Sequence, residues 1–121
     1  MKIKDLPADL AEIARKTAEV GLDTGSPWSV LDPEIADAVG LFDQVGEPKK
    51  LSGHGHTFDG HLVRVPVVIL AEEGDSLEVD AVVFVSKEWP AGKNFVGYSG
   101  LLESIRIALD PQVNHFYFGP A

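Results

Sequence analysis

The alternation of apolar and polar side chains is clearest in the middle of the chain. Residues 65–70 and 77–85 are rich in β-branched side chains, and an acidic turn sequence around Gly74 joins them. In the second run apolar positions alternate with acidic ones, in the order Leu77, Glu78, Val79, Asp80 and Ala81. That two-residue period is typical of an antiparallel strand with one buried and one exposed face. The pattern therefore predicts a central β hairpin.

Shorter apolar segments on either side of this hairpin predict further strands. They cover residues 17–22, 29–31, 47–51, 57–65, 94–96, 107–109 and 115–118. A short helix over residues 34–39 is predicted by Asp32 as its N-cap, Pro33 in its first turn and Gly40 at its end. Strands at this spacing, separated by glycine-containing turns, favour a mainly β sandwich or barrel.

Two other segments follow a helical period. Near the N-terminus residues 7–16 read as a helix, whose apolar face consists of Leu6, Leu10, Ile13 and Thr17. After Gly100 a short C-terminal helix is predicted from the spacing of Leu101, Leu102, Ile105 and Leu109. The chain is accordingly divided into an atypical N-terminal segment, residues 1–16, and a β domain, residues 17–121.

The composition is that of one globular domain. The chain has 121 residues, 45% of them apolar and 24% charged, which excludes extended disorder. No apolar run approaches the ~20 residues of a membrane-spanning helix, and the polar start predicts no secretory leader. The sequence has no cysteine, so disulfides and thiolate chemistry are excluded and a cytoplasmic location is expected. The net charge of −9 argues against nucleic acid and anionic membranes as partners.

The sequence Asp-Thr-Gly-Ser at residues 23–26 is the motif that carries chemistry. Gly25 lets another backbone approach closely because it has no Cβ, and Thr24 and Ser26 carry hydroxyls that can bond to the Asp23 carboxylate. Two such carboxylates about 3 Å apart share one proton, so one acts as a base toward water and the other as an acid toward a carbonyl oxygen. Taken alone, the tetrapeptide is more typical of an Asx-type surface turn.

Further motifs, in order along the chain, resemble the retropepsin-like aspartic proteases, including their bacterial relatives. Residues 23–31 and the predicted helix after them are similar to the family's active-site loop. Residues 47–55 resemble the rising arm and glycine-rich tip of the flap. Residues 95–102 resemble the family's apolar-apolar-glycine element and the start of its C-terminal helix, and residues 106–118 its closing hairpin. The resemblance covers residues 17–118 and implies a retropepsin-like acid-protease barrel.

The resemblance also implies roles for individual residues. Asp23 would be the catalytic carboxylate, Thr24 would bond across a two-fold axis, and Gly25 would contact the substrate backbone. Substrate binding is assigned to Ser26, Trp28, Gly53, His54 and Gly55. Ser26 would also hold the outer oxygen of Asp23, and Trp28 is expected either to pack or to line the pocket. Only one Asp-Thr-Gly occurs in the chain, so the mechanism requires a homodimer. The substrate would be a peptide or protein, and no metal ion or organic cofactor is needed.

Two departures from the family pattern leave alternatives open. The family usually opens with a β hairpin, where this chain has the helical pattern of residues 7–16, and the flap tip here contains histidines. One alternative is a catalytically inactive module that binds peptides or serves assembly. Another is a metal site, whose candidate ligands are His54, His56, Asp59 and His61.

Overall fold

The computed structural model describes residues 2–5, 17–19, 21–22, 26–53, 55–110, 112 and 115–121, and before residue 26 it describes the backbone alone. The strands are β1 (Lys2–Asp5), β2 (Thr17–Glu19), β3 (Gly21–Leu22), β4 (Ser29–Val30), β5 (Glu47–Gly53), β6 (His56–Leu70), β7 (Leu77–Val85), β8 (Phe95–Val96), β9 (Ile105–Asp110) and β10 (His115–Pro120). The described part of the chain also contains one α-helix, α1 (Pro33–Ala38), and two 3₁₀ turns, Leu41–Asp43 and Leu102–Ser104. None of the helices described is long and apolar enough to span a membrane.

The long strand β6 organises the larger sheet. One edge of β6 pairs antiparallel with β7 along nine residues, from His61 to Ile69. Its other edge pairs first with β5 and then with β1, which is flanked in turn by β2. Beyond β7 the order continues as β4, β8 and β3, while β9 and β10 form a separate two-stranded sheet. The prediction of a mainly β fold is confirmed, and the described strands form open sheets.

The central hairpin of β6 and β7 contributes to two apolar clusters, one on each face of the sheet. The larger cluster takes the odd-numbered side chains of both strands, including Val63, Val67 and Val83. The smaller cluster contains even-numbered side chains from the opposite end of the hairpin, namely Phe58, Leu62 and Phe84. Val30 and Trp89 complete it. Because successive side chains of a strand point to opposite faces, the buried face of β6 changes between Leu62 and Val63.

The connection from β4 to β5 follows the sequence-based prediction. The Oδ1 of Asp32 accepts a hydrogen bond from the backbone N of Ile35 at 2.9 Å, which caps α1, and Pro33 occupies the first turn. Gly40 follows the helix with a φ of 78°, a left-handed conformation that glycine adopts without steric cost. The predicted helix is confirmed to within one residue at each end.

The structure describes only part of the N-terminal segment for which a helix is predicted. Residues 6–16, which carry the helical pattern, lie outside the described residues. The sequence pattern places Thr17 both on the helix face and at the start of the strand predicted over residues 17–22. Thr17 lies in β2, so the helix assignment of Thr17 is wrong and its strand assignment is confirmed. The pairing partner of β2 is β1, a strand that the sequence pattern did not predict. The larger sheet therefore contains strands from both sides of the boundary drawn at residue 16, because pairing with β6 stabilises strands whose local propensity is weak.

The predicted C-terminal helix is wrong. A single 3₁₀ turn, Leu102–Ser104, is followed directly by β9. The apolar residues fit a helical period, but Ile105, Ile107 and Leu109 also fit a period of two. In the structure Ile107 pairs with Phe118 and Leu109 with Phe116 across the hairpin. Pairing with β10 therefore decides between the two periods, and the closing hairpin predicted for this region is confirmed.

Candidate active site

The residues predicted to carry the chemistry border the segments that the structure describes. Asp23, Thr24 and Gly25, the predicted catalytic residues, lie outside the described residues, and so does His54 of the predicted flap. On either side of the Asp-Thr-Gly sequence the chain is described, up to the end of β3 and again from Ser26. The contacts of these two flanking segments therefore show which parts of the chain lie next to the predicted site.

Both flanks of the Asp-Thr-Gly sequence are held by the same segment, residues 95–99. Before it, β3 pairs parallel with β8. After it, the backbone N of Tyr98 donates to the carbonyl of Ser26 at 2.9 Å, and the backbone N of Ser99 donates to the carbonyl of Pro27 at 2.8 Å. Strand β8 consequently lies between β3 and β4, the two strands that precede and follow the predicted catalytic residues.

Gly97 permits this close approach of two backbone segments. A Cβ at position 97 would overlap with the carbonyl O of Trp28 and would lie 2.9 Å from that of Ser26, closer than side-chain carbons approach such atoms. The backbone N of Gly97 donates to the hydroxyl of Ser29, which is buried, at 2.9 Å. The glycine of the apolar-apolar-glycine element therefore lies directly against the predicted active-site loop.

Ser26 uses its hydroxyl within the loop. The Oγ of Ser26 donates to the carbonyl O of Trp28 at 2.9 Å. A serine hydroxyl has one proton, so it cannot donate to this carbonyl and to a carboxylate at the same time. The role implied for Ser26, holding the outer oxygen of Asp23, requires the hydroxyl to turn away from Trp28.

Trp28 occupies a position that suits both of its expected roles. Its side chain is half-buried and packs against the smaller apolar cluster. The Nζ of Lys49 lies 5.9 Å from the centroid of the indole ring, within the range of a cation–π contact. Trp28 also borders an open cleft of about 650 Å³, which is lined in addition by Leu62, Arg64 and Val82. A ligand in that cleft would contact the indole ring of Trp28 and the side chain of Arg64.

The predicted flap is the hairpin of β5 and β6. Gly53 pairs with His56 at its tip, and the hydroxyls of Ser52 and Thr57 lie 3.4 Å apart one step further down. Gly55 has a φ of 77°, which explains the glycine at the turn. A Cβ at Gly53 or Gly55 would meet no atom of the described residues within 4 Å, so none of these residues packs against the tip at these two positions. The predicted hairpin is confirmed.

Of the candidate ligands of the alternative metal site, the described ones are divided between two faces of β6. His56 lies on one face, and Asp59 and His61 lie on the other, because their positions differ by odd numbers. The Oδ1 of Asp59 lies 3.6 Å from the Nζ of Lys50. Among the residues that the structure describes, no three His, Asp or Glu side chains come together as a metal site.

A buried carboxylate, Asp32, ties α1 to the loop before β8. The Oδ2 of Asp32 accepts hydrogen bonds from the backbone N of Gly92 at 3.0 Å and from the Nδ2 of Asn94 at 3.2 Å. Its own backbone N donates to the Oδ1 of Asn94 at 2.8 Å. Burial raises the pKa of the Asp32 carboxyl, but the hydrogen bonds it accepts outweigh burial, and the pKa lies below its usual value.

Only part of this hydrogen-bond network could be predicted from the sequence. Asp32 was identified as the N-cap of α1 from its local sequence. Asn94 is 62 residues away, and no local pattern indicated that it would bond to Asp32 from both ends of its amide. The two residues lie next to the strands β4 and β8 that flank the predicted catalytic loop, so they fix the position of those strands relative to each other.

Comparisons with known proteins assign no family to the chain. No model of a known protein family matches it, and a search of curated proteins finds no significant similarity. What the protein does must therefore be inferred from its own motifs and from the placement of the segments around them.

Proposed function

We propose that the protein is an aspartic endopeptidase that acts as a homodimer. Asp23 of one protomer and Asp23 of its partner would share one proton across a two-fold axis. The ionised carboxylate takes a proton from a bound water, whose oxygen attacks the scissile carbonyl carbon, while the protonated carboxyl donates to the carbonyl oxygen. As the tetrahedral intermediate collapses, the carboxyl that took the proton from water gives it to the amide nitrogen, the other carboxylate takes back a hydroxyl proton, and the C–N bond breaks to release the amine and the carboxylic acid. The chemistry needs no group beyond the two carboxylates and water.

The observation that carries this proposal is the placement of β8. Two of the motifs on which the resemblance rests, residues 23–26 and residues 95–97, are about seventy residues apart in the sequence. In the sheet, β8 lies between the strands before and after the first motif, and Tyr98 bonds to Ser26. A surface turn of the Asx type would have no need of a distant strand inserted between its two flanks. The arrangement supports a loop that must be held rigidly, as a catalytic carboxylate requires.

The predicted flap supports a peptide as the substrate. The hairpin of β5 and β6 extends beyond the core, and β5 is exposed along most of its length. Among the described strands, β5 pairs with β6 alone, so one of its edges has backbone groups left to pair. An extended peptide can add to such an edge by backbone hydrogen bonds. The cleft beside Trp28 would then receive a side chain of the peptide.

The proposal is tested by replacing the catalytic carboxylate. Asp23→Asn keeps the shape of the side chain but removes its titratable proton, so peptide cleavage should fall by a factor of about 10² to 10⁴. The measurement is digestion of a peptide library at several pH values, followed by mass spectrometry, with pepstatin as an independent inhibitor. Asp75→Asn, in an exposed turn, is the matched control and should cleave like the wild type.

The outcomes separate the proposal from its alternative. Cleavage that is lost in Asp23→Asn and blocked by pepstatin would support the endopeptidase. Full cleavage by Asp23→Asn would rule out the mechanism. If the wild type binds peptides from the library but leaves them intact under every condition, the protein is the inactive peptide-binding module instead.

A further inference from the structure

The C-terminal hairpin is a sheet of only two strands. β9 and β10 pair with each other over six residues, from Ile105 opposite Pro120 to Asp110 opposite His115. No third strand of the described part of the chain pairs with either of them. Two-stranded sheets are marginal alone in water, and an edge with unpaired backbone groups is a template for another strand. The hairpin therefore offers an edge at which a further strand can add.

The middle of β9 is exposed on both faces. Arg106, Ile107, Ala108 and Leu109 are all exposed, and the exposed fractions are 37% for Ile107 and 53% for Leu109. These two apolar residues share a face of the hairpin with Phe116 and Phe118, which pack against the larger core cluster. The apolar face of the hairpin thus continues past the part that the chain itself covers.

The sequence of β9 is complementary to itself when reversed. In an antiparallel pair of two β9 strands centred on Ala108, Arg106 lies opposite Asp110 of the other copy, and Ile107 lies opposite Leu109. Opposite charges then face each other on one side of the sheet and apolar side chains on the other, with the small Ala108 at the axis. A register centred on Ile107 would instead place Arg106 opposite Ala108 and leave the charges unmatched. Directly opposed pairs of these kinds stabilise a sheet.

The charged residues of β9 are free to make these pairs. Within its own hairpin Arg106 faces Gly119, and no carboxylate of the described residues lies within 4 Å of it. The Oδ1 of Asp110 accepts a hydrogen bond from the backbone N of Gln112 at 3.1 Å, which leaves Oδ2 for a cation. An isologous contact uses each such pair twice, once on each side of the axis.

We infer that two copies of this chain associate through β9, antiparallel, about a two-fold axis at Ala108. The four strands then form one sheet in the order β10, β9, β9 of the partner and β10 of the partner. Its apolar face runs without a break from Phe118 and Ile107 of one protomer to Leu109 and Phe116 of the other. The partner is a second copy because the order of charges in β9 matches its own reverse. The inference concerns association alone, and it does not depend on cleavage.

A charge exchange tests the register. Arg106→Asp places like charges opposite each other twice in the dimer and should weaken association about tenfold or more. The double variant Arg106→Asp with Asp110→Arg restores opposite pairs in reversed order, and its dissociation constant should return to within about threefold of the wild type. Association is measured by sedimentation equilibrium from micromolar to millimolar protein, and circular dichroism confirms that each variant is folded.

A second variant addresses the axis itself and does not alter the hairpin turn. Ala108 is exposed, so Ala108→Lys leaves the monomer intact but brings two ammonium groups together at the axis and should abolish association. Tyr117→Lys is the matched control: Tyr117 is also exposed and lies opposite Ala108, but on the outer strand β10, which does not contact the other copy, so this variant should associate like the wild type.

The outcomes are distinct from those of the activity test. Loss of the dimer in Ala108→Lys together with rescue by the charge exchange would establish the interface, even if the chain cleaves no peptide. A wild type that stays monomeric at every concentration would overturn the inference, and so would a dimer that is indifferent to both Arg106→Asp and Ala108→Lys. In the latter case the Asp23 dyad would have to form through another surface.

Discussion

Asp32 is a carboxylate that is only 4% exposed and nevertheless has a pKa below its usual value. Removing a carboxylate from water favours its protonated form, so burial alone would raise the pKa. Four donors oppose this, namely the backbone N of Glu34, of Ile35 and of Gly92 and the side chain of Asn94, and each bonds better to the ionised form. The charge of Asp32 is therefore part of what holds α1 against the loop before β8.

Replacing Asp32 by asparagine should destabilise the protein by about 2 kcal/mol, because at least one buried donor then loses its acceptor. The measurement is urea unfolding at pH 7. Asp37→Asn, on the exposed side of the same helix, is the control and should change the free energy of unfolding by less than about 0.5 kcal/mol. Equal stability of Asp32→Asn and the wild type would contradict the role given to the carboxylate.

The same carboxylate should make stability depend on acid pH. Its pKa is lower in the folded chain than in the unfolded chain, so its contribution is complete above the unfolded value, near 3.8, and is lost as the pH falls through the folded value. Between pH 5 and lower values the wild type should therefore lose more stability than Asp32→Asn. Unfolding curves of the two proteins that run parallel down to acid pH would contradict this assignment.

At the scale of the elements, the contact between β8 and the predicted catalytic loop depends on Gly97, which has no side chain. The carbonyl of Trp28 lies closer to position 97 than the Cβ of any other residue there could approach it. Backbone atoms cannot turn aside as a flexible side chain can, so a larger residue must push the two segments apart. The hydrogen bonds from Tyr98 to Ser26 and from Gly97 to Ser29 cross this contact and would lengthen with it.

Gly97→Ala is accordingly expected to destabilise the protein by about 1–3 kcal/mol, the usual cost of overpacking. Gly119→Ala is the matched control, since a Cβ at Gly119 would meet no atom within 4 Å in the part of the chain that the structure describes, and its φ is not positive. Its expected change is within about 0.5 kcal/mol. Urea unfolding of both variants measures the difference, and a Gly97→Ala protein as stable as the control would mean that the two segments are not in contact.

At the scale of the whole molecule, net charge opposes assembly. Each chain carries −9, and a dimer would carry twice that charge in a small volume. Two local pairs of Arg106 with Asp110 are attractive, but they involve few of the charges present. Long-range repulsion should therefore dominate the response to salt.

Association should tighten as the ionic strength rises from about 0.01 M, where the Debye length is ~30 Å, to about 0.15 M, where it is ~8 Å. Sedimentation equilibrium at a series of NaCl concentrations measures this. The double variant with Arg106 and Asp110 exchanged has the same net charge as the wild type, so its dissociation constant should change with salt in the same way. Association that weakens steadily with salt would show that local ion pairs outweigh the net charge.

Sequence reasoning succeeded wherever the cause of the structure is local. The alternation in residues 77–85, the cap formed by Asp32 and Pro33, and the glycines at the flap tip each predicted the element that the structure contains. It failed where two local readings compete, as in β9, whose apolar residues fit both periods until Phe116 and Phe118 pair with them. It also missed β1, which is stabilised by its neighbours β2 and β6.

The amino-acid sequence by itself determined the mainly β character, the central hairpin, the short helix and the position of the Asp-Thr-Gly motif. These features depend on backbone preferences and on the period of neighbouring side chains, which act over a few residues. Only the tertiary structure decided that β8 lies between β3 and β4, that Asn94 bonds to Asp32, and that β9 presents a self-complementary edge. Those features join residues far apart in the chain, and they form because burial and backbone pairing favour one of many arrangements that the local sequence allows.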